Sequence, residues 1–275
     1  MGAKVGGIRR ENIRQRRQVW DRGTTLSPAS ESSTLDRLLE LIWPTRCVGC
    51  EKHGVLLCKD CASHLPFIDS STACSRCGAP YGSIICTECY SRAGPIAFSF
   101  QAAVCAFSFE ETAARLVVCY KDQGERRLAA YLASYLAATI PAPWRTWADA
   151  LVFIPADRAA KRRRGFDHME EVAEEVASLT GLLLFNLLEK LPATDQRKLG
   201  RGQRYENLQQ AFLVSGQAGD DNGYPLPARQ ANPLPQNIIL IDDVLTTGAT
   251  LDAAAAALLA CGAKEVRVVT VARVW

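Results

Sequence analysis

Eight of the 11 cysteines in this 275-residue chain fall into four Cys-x-x-Cys pairs: Cys47/Cys50, Cys58/Cys61, Cys74/Cys77 and Cys86/Cys89. The tight backbone knuckle between two such thiolates aims both sulfurs at one point, and two knuckles complete a tetrahedral metal site. The residues therefore suit two structural Zn2+ ions, each with four protein ligands and no open position for catalysis. Gly49 and Gly78 fit the cramped knuckle backbone, while Arg46, Lys52, Lys59 and Arg76 lie close enough to offset thiolate charge. Neighbouring pairs sharing an ion give two stacked ribbons; joining first with third and second with fourth satisfies the same ligand count. Disulfides and an iron–sulfur cluster are the competing uses of such thiols. His53 and His64 are spare beside eight cysteines, and Cys105, Cys119 and Cys261 read as small core residues.

A second constellation lies far along the chain, at Asn237-Ile-Ile-Leu-Ile-Asp-Asp-Val-Leu-Thr-Thr-Gly-Ala-Thr250. An apolar strand ends in Asp242-Asp243, at the edge where parallel sheets bind their ligands. Thr246, Thr247, Gly248, Ala249 and Thr250 then open a helix. Backbone N–H groups, the helix N-terminus and three hydroxyls all favour a phosphate there. Gly248 allows close backbone approach and positive φ. Paired carboxylates would repel a phosphate beside them, but they accept hydrogen bonds well from vicinal sugar hydroxyls. A ribose 5-phosphate meets both demands; the plain alternative is an ordinary strand-to-helix turn.

These residues need elements to position them. Leu35, Leu38, Leu39, Ile42 and Trp43 follow at helical spacing after Ser33 or Thr34 as N-cap, and Pro44 stops the helix. From about Pro95, strands alternate with helices: strands at Ala102–Phe109, Ala150–Ile154, Leu182–Leu187, Asn237–Asp242 and Val266–Val274; helices at Glu111–Tyr120, Glu125–Thr139, Phe166–Thr180 and Thr250–Cys261. Gly216–Gln236 is a loop. Such alternation predicts an α/β fold, a parallel sheet covered on both faces by helices. Trp144 and Trp147 flank a loop and are assigned packing only.

Composition sets the class. Apolar residues at 48% and charged residues at 22% describe a folded globular protein and exclude a disordered or collagenous one. No apolar run approaches the roughly 18 residues of a membrane span, and Met1–Arg22 is too polar for a secretory signal. A cytoplasmic location is expected, which favours zinc over disulfides. The formal net charge of +3 is localised: seven basic residues against Glu11 and Asp21 give the first 22 residues +5, leaving −2 beyond. Eight thiolates around two Zn2+ would make the whole chain about −1.

The turn from Asp242 to Thr250 closely resembles the loop that binds phosphoribosyl pyrophosphate (PRPP) in type I phosphoribosyltransferases. The cysteine module, Tyr120-Lys121, Ile154-Pro155, Arg164-Gly165-Phe166, and Thr194-Asp-Gln196 with Arg204, Asn207 and Ala211-Phe212 occur in the order of the ComF family. That amidophosphoribosyltransferase-like family is linked to DNA uptake in competent bacteria, and the resemblance covers about Leu35 to Trp275. It implies a type I phosphoribosyltransferase fold behind a double zinc ribbon. The domains would be a basic disordered arm at 1–34, linker helix and ribbons at 35–94, and a phosphoribosyltransferase-like domain at 95–275.

By position, the resemblance assigns Asp242 and Asp243 to the ribose hydroxyls and Thr246–Thr250 to the 5-phosphate. Pro155 and Ala156 would form the pyrophosphate turn, with Arg164 contributing and Lys121 or Arg158 as a nearby cation. Thr194–Asn207 would be a closing loop in which Arg197, Lys198, Arg201 and Arg204 neutralise leaving pyrophosphate; a solvated basic loop is the plain alternative. Asp242, Asp243, Lys121 and Arg204 are thus the candidate catalytic residues, acting with Mg2+ and PRPP. The chain departs from the family after Arg-Gly-Phe, where Asp167-His168 stands for the usual Asn-Gln, and at Pro155-Ala156, where a bulkier second residue is common. The implied reaction replaces pyrophosphate at the ribose C1 with a nitrogen acceptor. A non-catalytic scaffold is the alternative, sensing PRPP or a nucleotide and holding single-stranded DNA or a DNA-translocation partner through ribbons and arm.

Overall fold

The computed structural model describes residues 44–80, 85–91, 98–191, 211–214 and 234–275. The expected arm, the helix at 35–43, the loop at 194–207 with Arg204, and most of 216–236 lie outside the described residues. Two short helices belong to the cysteine region, α1 (Lys59–Ser63) and α2 (Thr87–Ser91). Strand β1 (Ala102–Ser108) is followed by helices α3 (Glu111–Lys121), α4 (Ala129–Thr139) and α5 (Ala142–Trp147). Then come strand β2 (Ala150–Phe153), helices α6 (Arg158–Arg164) and α7 (His168–Thr180), and strands β3 (Leu184–Phe185), β4 (Leu188–Lys190) and β5 (Phe212–Val214). Strand β6 (Asn237–Leu245), helix α8 (Ala249–Ala260) and strand β7 (Glu265–Arg273) complete the order.

Five strands form one parallel sheet in the order β1-β7-β6-β2-β3. Strand β2 is apolar and buried throughout and β6 is so from Ile238 to Ile241, as sheets covered on both faces require. On one face α3, α4 and α7 cover Ile239, Ile241, Val269 and Val271; on the other α8 covers Ile238, Leu240, Val266 and Val268. The cysteine module is welded to β1: Ile68 N–H donates to Ala106 O at 3.0 Å and Ser108 N–H to Pro66 O at 2.9 Å. Phe67 packs tilted against Phe107 and edge-on against Tyr135, with ring centroids 4.9 and 5.9 Å away.

Several boundaries differ from the sequence reading for physical reasons. The helix expected over Glu125–Thr139 begins as a tight 3-10 turn at Arg126–Leu128, because the Glu125 carboxylate caps Arg127 N–H. The helix expected from Phe166 starts at His168, since Asp167 has extended backbone and its side chain accepts from Met169 N–H at 3.1 Å. The short helices at Ala142–Trp147 and Arg158–Arg164 were not anticipated. Nor was the antiparallel β4–β5 pair, whose partners lie more than 20 residues apart. Strand β6 runs on to Leu245 instead of stopping at Asp242, because nine-residue β7 continues to pair with it after β2 has ended.

Candidate functional site

The first four thiols to consider are those of Cys47, Cys50, Cys58 and Cys61; the second set is Cys74, Cys77, Cys86 and Cys89. In each set all four sulfurs lie within 4.8 Å of one another, so neighbouring pairs share a site. Cys50 and Cys58 sulfurs are 3.6 Å apart, as are those of Cys77 and Cys86. A tetrahedral zinc with Zn–S near 2.3 Å sets its sulfurs about 3.8 Å apart, whereas a disulfide needs about 2.0 Å. The thiols therefore fit zinc and are not disulfides. Neither His53 nor His64 joins a set. The sulfurs already prefer different protonation states. Burial raises the Cys47 thiol, but N–H donation from Cys58, Cys50 and Gly49 outweighs it and brings the group down to about 7. Cys74 falls to about 7 by the same balance, while burial and the neighbouring Cys74 push Cys77 up to about 11. A bound cation would deprotonate the remainder.

The carboxylates sit where β6 outruns β2: Phe153 pairs with Ile241, and Asp242 pairs only with Thr270 of β7. Strand alternation sends the two side chains to opposite faces of the sheet. Asp243 faces the α3–α7 layer, where the Lys121 ammonium contacts Oδ2 and His168 Nε2 lies 3.0 Å from the same oxygen. On its far side, His168 Nδ1 lies 3.3 Å from Arg164 Nη1. A guanidinium only donates, so Nδ1 accepts and Nε2 carries the hydrogen given to Asp243. Burial alone would raise Asp243, but the His168 hydrogen bond and the Lys121 charge hold it well below the usual carboxylate range. Asp242 shifts oppositely: burial and then the Asp243 charge raise it well above that range. One carboxylate is thus kept ionised and its neighbour drawn towards the neutral acid.

The turn after β6 has the expected form. Gly248 takes φ +81° and caps the 12-residue α8, with Thr246 and Thr247 exposed before it. A β-carbon on Gly248 would lie 2.7 Å from the Phe98 ring, so the position tolerates no side chain. Pro155 and Ala156 follow β2 on the adjacent strand, and Ala156 N–H is taken by the Asp167 carboxylate at 3.0 Å. Arg158, a candidate cation, instead pairs with Glu189.

A sequence model of the Double zinc ribbon domain matches residues 38–90, and one of the Phosphoribosyl transferase domain matches residues 204–274. The chain is 26% identical over 219 residues to Competence protein ComFC of Streptococcus pneumoniae, covering 79% of this chain and 87% of that protein. It is 25% identical over 242 residues to Competence protein F of Haemophilus influenzae, covering 83% and 96%. Over most of its length, then, the chain is similar to these two competence proteins.

The described candidate residues split into groups. Lys121, Arg164 and Asp243 are brought together around His168, while Asp242 projects to the opposite face of the sheet; Pro155, Ala156 and Thr246–Thr250 line the ends of the adjacent strands β2 and β6. His168 was legible only as a departure from the family's usual pair, and nothing in composition or spacing marked its contact with Asp243. Tyr120 is also explained by the geometry: its hydroxyl donates to His168 O at 2.6 Å, fixing α3 against α7 so that the next residue, Lys121, reaches Asp243. Arg273 was missed altogether. It is 4% exposed, at the end of β7 beside the turn. Among the described residues no helix is long and apolar enough to cross a membrane.

Proposed function

We propose that this chain, as a member of the ComF family, binds PRPP, or another ligand carrying ribose 5-phosphate, at the ends of β2 and β6. The 5-phosphate is taken by the Thr246–Thr250 turn and the ribose hydroxyls by Asp242 and Asp243. The observation that carries the reading is the left-handed Gly248 opening α8 directly after two buried, oppositely tuned carboxylates. A neutral acid can both donate to and accept from a sugar hydroxyl, while an ionised one accepts only. Residues Pro155 and Ala156, with Arg164 and Lys121 behind them, are the proposed pyrophosphate side.

Mg2+ would arrive with PRPP and supply charge neutralisation for the departing pyrophosphate. Among the described residues, the sets of three or more close ligands are the two cysteine clusters; the acidic pair serves the sugar hydroxyls instead. In catalysis the chain would hold the ribose, orient C1 towards a nitrogen acceptor and lodge pyrophosphate among cations, with Arg204 among the groups assigned to it. We place the activity in the cytoplasm, as the sequence leads us to expect, and in competence, following the names of the relatives.

The deciding experiment is calorimetry with PRPP and Mg2+ on the zinc-loaded chain. Wild type should bind, and the double variant Asp242→Asn/Asp243→Asn should not. A wild type that takes up no heat with PRPP, ribose 5-phosphate or a nucleoside monophosphate would sink the reading. Pyrophosphate release with any nitrogen acceptor marks the enzyme.

A scaffold role has its own support in the exposed Lys161, Arg162 and Arg163 of α6, beside the candidate site. Together with the basic residues at 1–33 they could neutralise nucleic-acid phosphates. Salt-sensitive retention of single-stranded DNA, lost on deleting residues 1–33, is its expected signature. Unchanged retention after that deletion would remove the arm from the reading.

A further inference from the structure

The second cysteine cluster and the phosphate turn share a residue. Arg273 ends β7, paired in register with Leu245 at the end of β6. Its Nη1 donates to Leu245 O at 3.2 Å and Thr246 O at 2.6 Å, and also to Val274 O. Its Nη2 faces away, 4.0 Å from the Cys77 sulfur and 3.6 Å from the Glu88 carboxylate. One guanidinium thus grips the carbonyls that open the turn with one amino group and meets a metal-ligating thiol with the other. The remaining nitrogen, Nε, is buried and has no hydrogen-bond partner among the described residues. Such a group is held by its charged neighbours, not by a full set of hydrogen bonds.

A second link runs alongside. Phe98 packs against the second cysteine cluster, and its ring presses on the bare α-carbon of Gly248. Gly78, in the Cys74–Cys77 knuckle, sits directly on Cys105 of β1, where a β-carbon would lie 2.7 Å from that sulfur. The cluster is therefore seated against the sheet beside the turn it borders.

We propose that Arg273 is a positioning residue that couples metal occupancy of the Cys74/Cys77/Cys86/Cys89 cluster to the shape of the Thr246–Thr250 turn. Four thiolates around Zn2+ carry a net charge of −2, which anchors a buried guanidinium by a charge-assisted contact. Without the ion nothing holds the four sulfurs together, Cys77 is free to move away from Nη2, and the grip of the same guanidinium on Leu245 and Thr246 loosens. Groups of this kind, which touch a ligand instead of the ion, typically change metal affinity by 10–100-fold. Coupling is reciprocal, so a ligand in the turn must tighten zinc by the factor by which zinc tightens the ligand. That last consequence rests on the reading that the turn binds phosphate; the coupling between cluster and turn does not.

The test uses the full chain loaded with two zinc equivalents. Release is driven by a mercurial thiol reagent and followed with a chromogenic chelator. Alkylation of peptides 47–61 and 74–89 identifies the cluster that opens. In Arg273→Met, zinc should leave the second cluster about tenfold faster than in wild type while the first keeps its rate. Arg273→Lys keeps the charge but lacks the fork, and should fall between. In wild type without any ligand, amide exchange at residues 246–250 should speed up in step with loss of the second zinc alone. Equal release rates in all three proteins, or exchange at 246–250 indifferent to the second zinc, overturns the proposal. Should Arg273→Met fail to fold, the wild-type exchange measurement decides alone. PRPP or inorganic phosphate, where it binds, should slow only the second release. If neither binds, the proposed function falls while the ligand-free exchange still judges the coupling.

Discussion

The two cysteine clusters have the same ligands at similar spacing, yet they occupy different physical surroundings. In the first, Cys50 is exposed and Cys61 half-buried; in the second all four cysteines are buried. The first leans on the helical layer, where Arg115 Nη1 donates to Gly49 O at 2.9 Å and Cys47 and Cys58 join the core under α3 and α4. The second abuts the sheet edge and the turn through Arg273, Phe98 and Gly78. A repeated motif therefore does not imply a repeated role: what a structural metal stabilises depends on which surface its knuckles touch.

The largest effect that could break this comparison comes from removing ligands. Cys58→Ser and Cys86→Ser should each lower zinc content from two equivalents to one, forfeiting a local contribution on the order of 10 kcal/mol. Only Cys86→Ser should abolish binding of a phosphate ligand in the turn. Metal analysis with calorimetry reads both, and equal loss of binding would erase the distinction. Next comes the acidic pair, whose members project towards the two faces on which the clusters lean. Asp243→Asn leaves Lys121 and His168 without their anion and should destabilise the chain by about 3 kcal/mol in urea unfolding at pH 7. Lys121 is 31% exposed, which keeps the loss at the lower end for a buried pair.

Asp242→Asn should do the reverse, stabilising by about 1 kcal/mol at neutral pH because a buried charge is no longer demanded. The sign follows from the shifts. Asp242 is raised in the folded chain, so its contribution is complete below the ordinary carboxylate pKa and lost as pH rises through the folded value. Asp243 is lowered, so its contribution is present above the ordinary pKa and lost as pH falls through the folded value. The Asn variants should each flatten the matching limb of a stability–pH curve; a curve unchanged by both would show that the pair is not tuned as described.

Smaller effects sharpen the picture. Gly78→Ala forces a side chain at φ +68° into Cys105, and Gly49→Ala drives one to within 2.5 Å of the Cys61 sulfur. Each should cost about 1–3 kcal/mol and speed zinc release from its own cluster only. Smallest is Arg115→Ala, which removes an exposed hydrogen bond to the first cluster. About 0.5–1 kcal/mol is expected, with no change in turn exchange.

Much of this was legible in the residue order. The eight cysteines, the β6 run and the Thr-Thr-Gly turn act through short-range spacing, which sequence displays directly. The end of β6 was misjudged because its last residues owe their strand conformation to β7, a partner invisible from local pattern. His168 and Arg273 were hidden for the same reason. A histidine after a helix-capping aspartate and an arginine closing an apolar strand look ordinary until the fold brings residues 75 and 196 positions away beside them. The two tryptophans dismissed as packing do more than fill space, since the Arg267 guanidinium lies 3.9 Å from the Trp147 ring centroid.

The separation of 196 positions between Cys77 and Arg273 also imposes an order of events in the cell. At 5–20 residues per second, a ribosome needs roughly 10–40 s to deliver the arginine after the cysteine has emerged. Strand β7 lies between β1 and β6, so the sheet cannot close before it arrives. The knuckles, whose partners are all within 16 positions of one another, can capture their ions long before that. During synthesis the second cluster is thus a metal site with an exposed flank, open to chelators and oxidants until β7 completes the sheet.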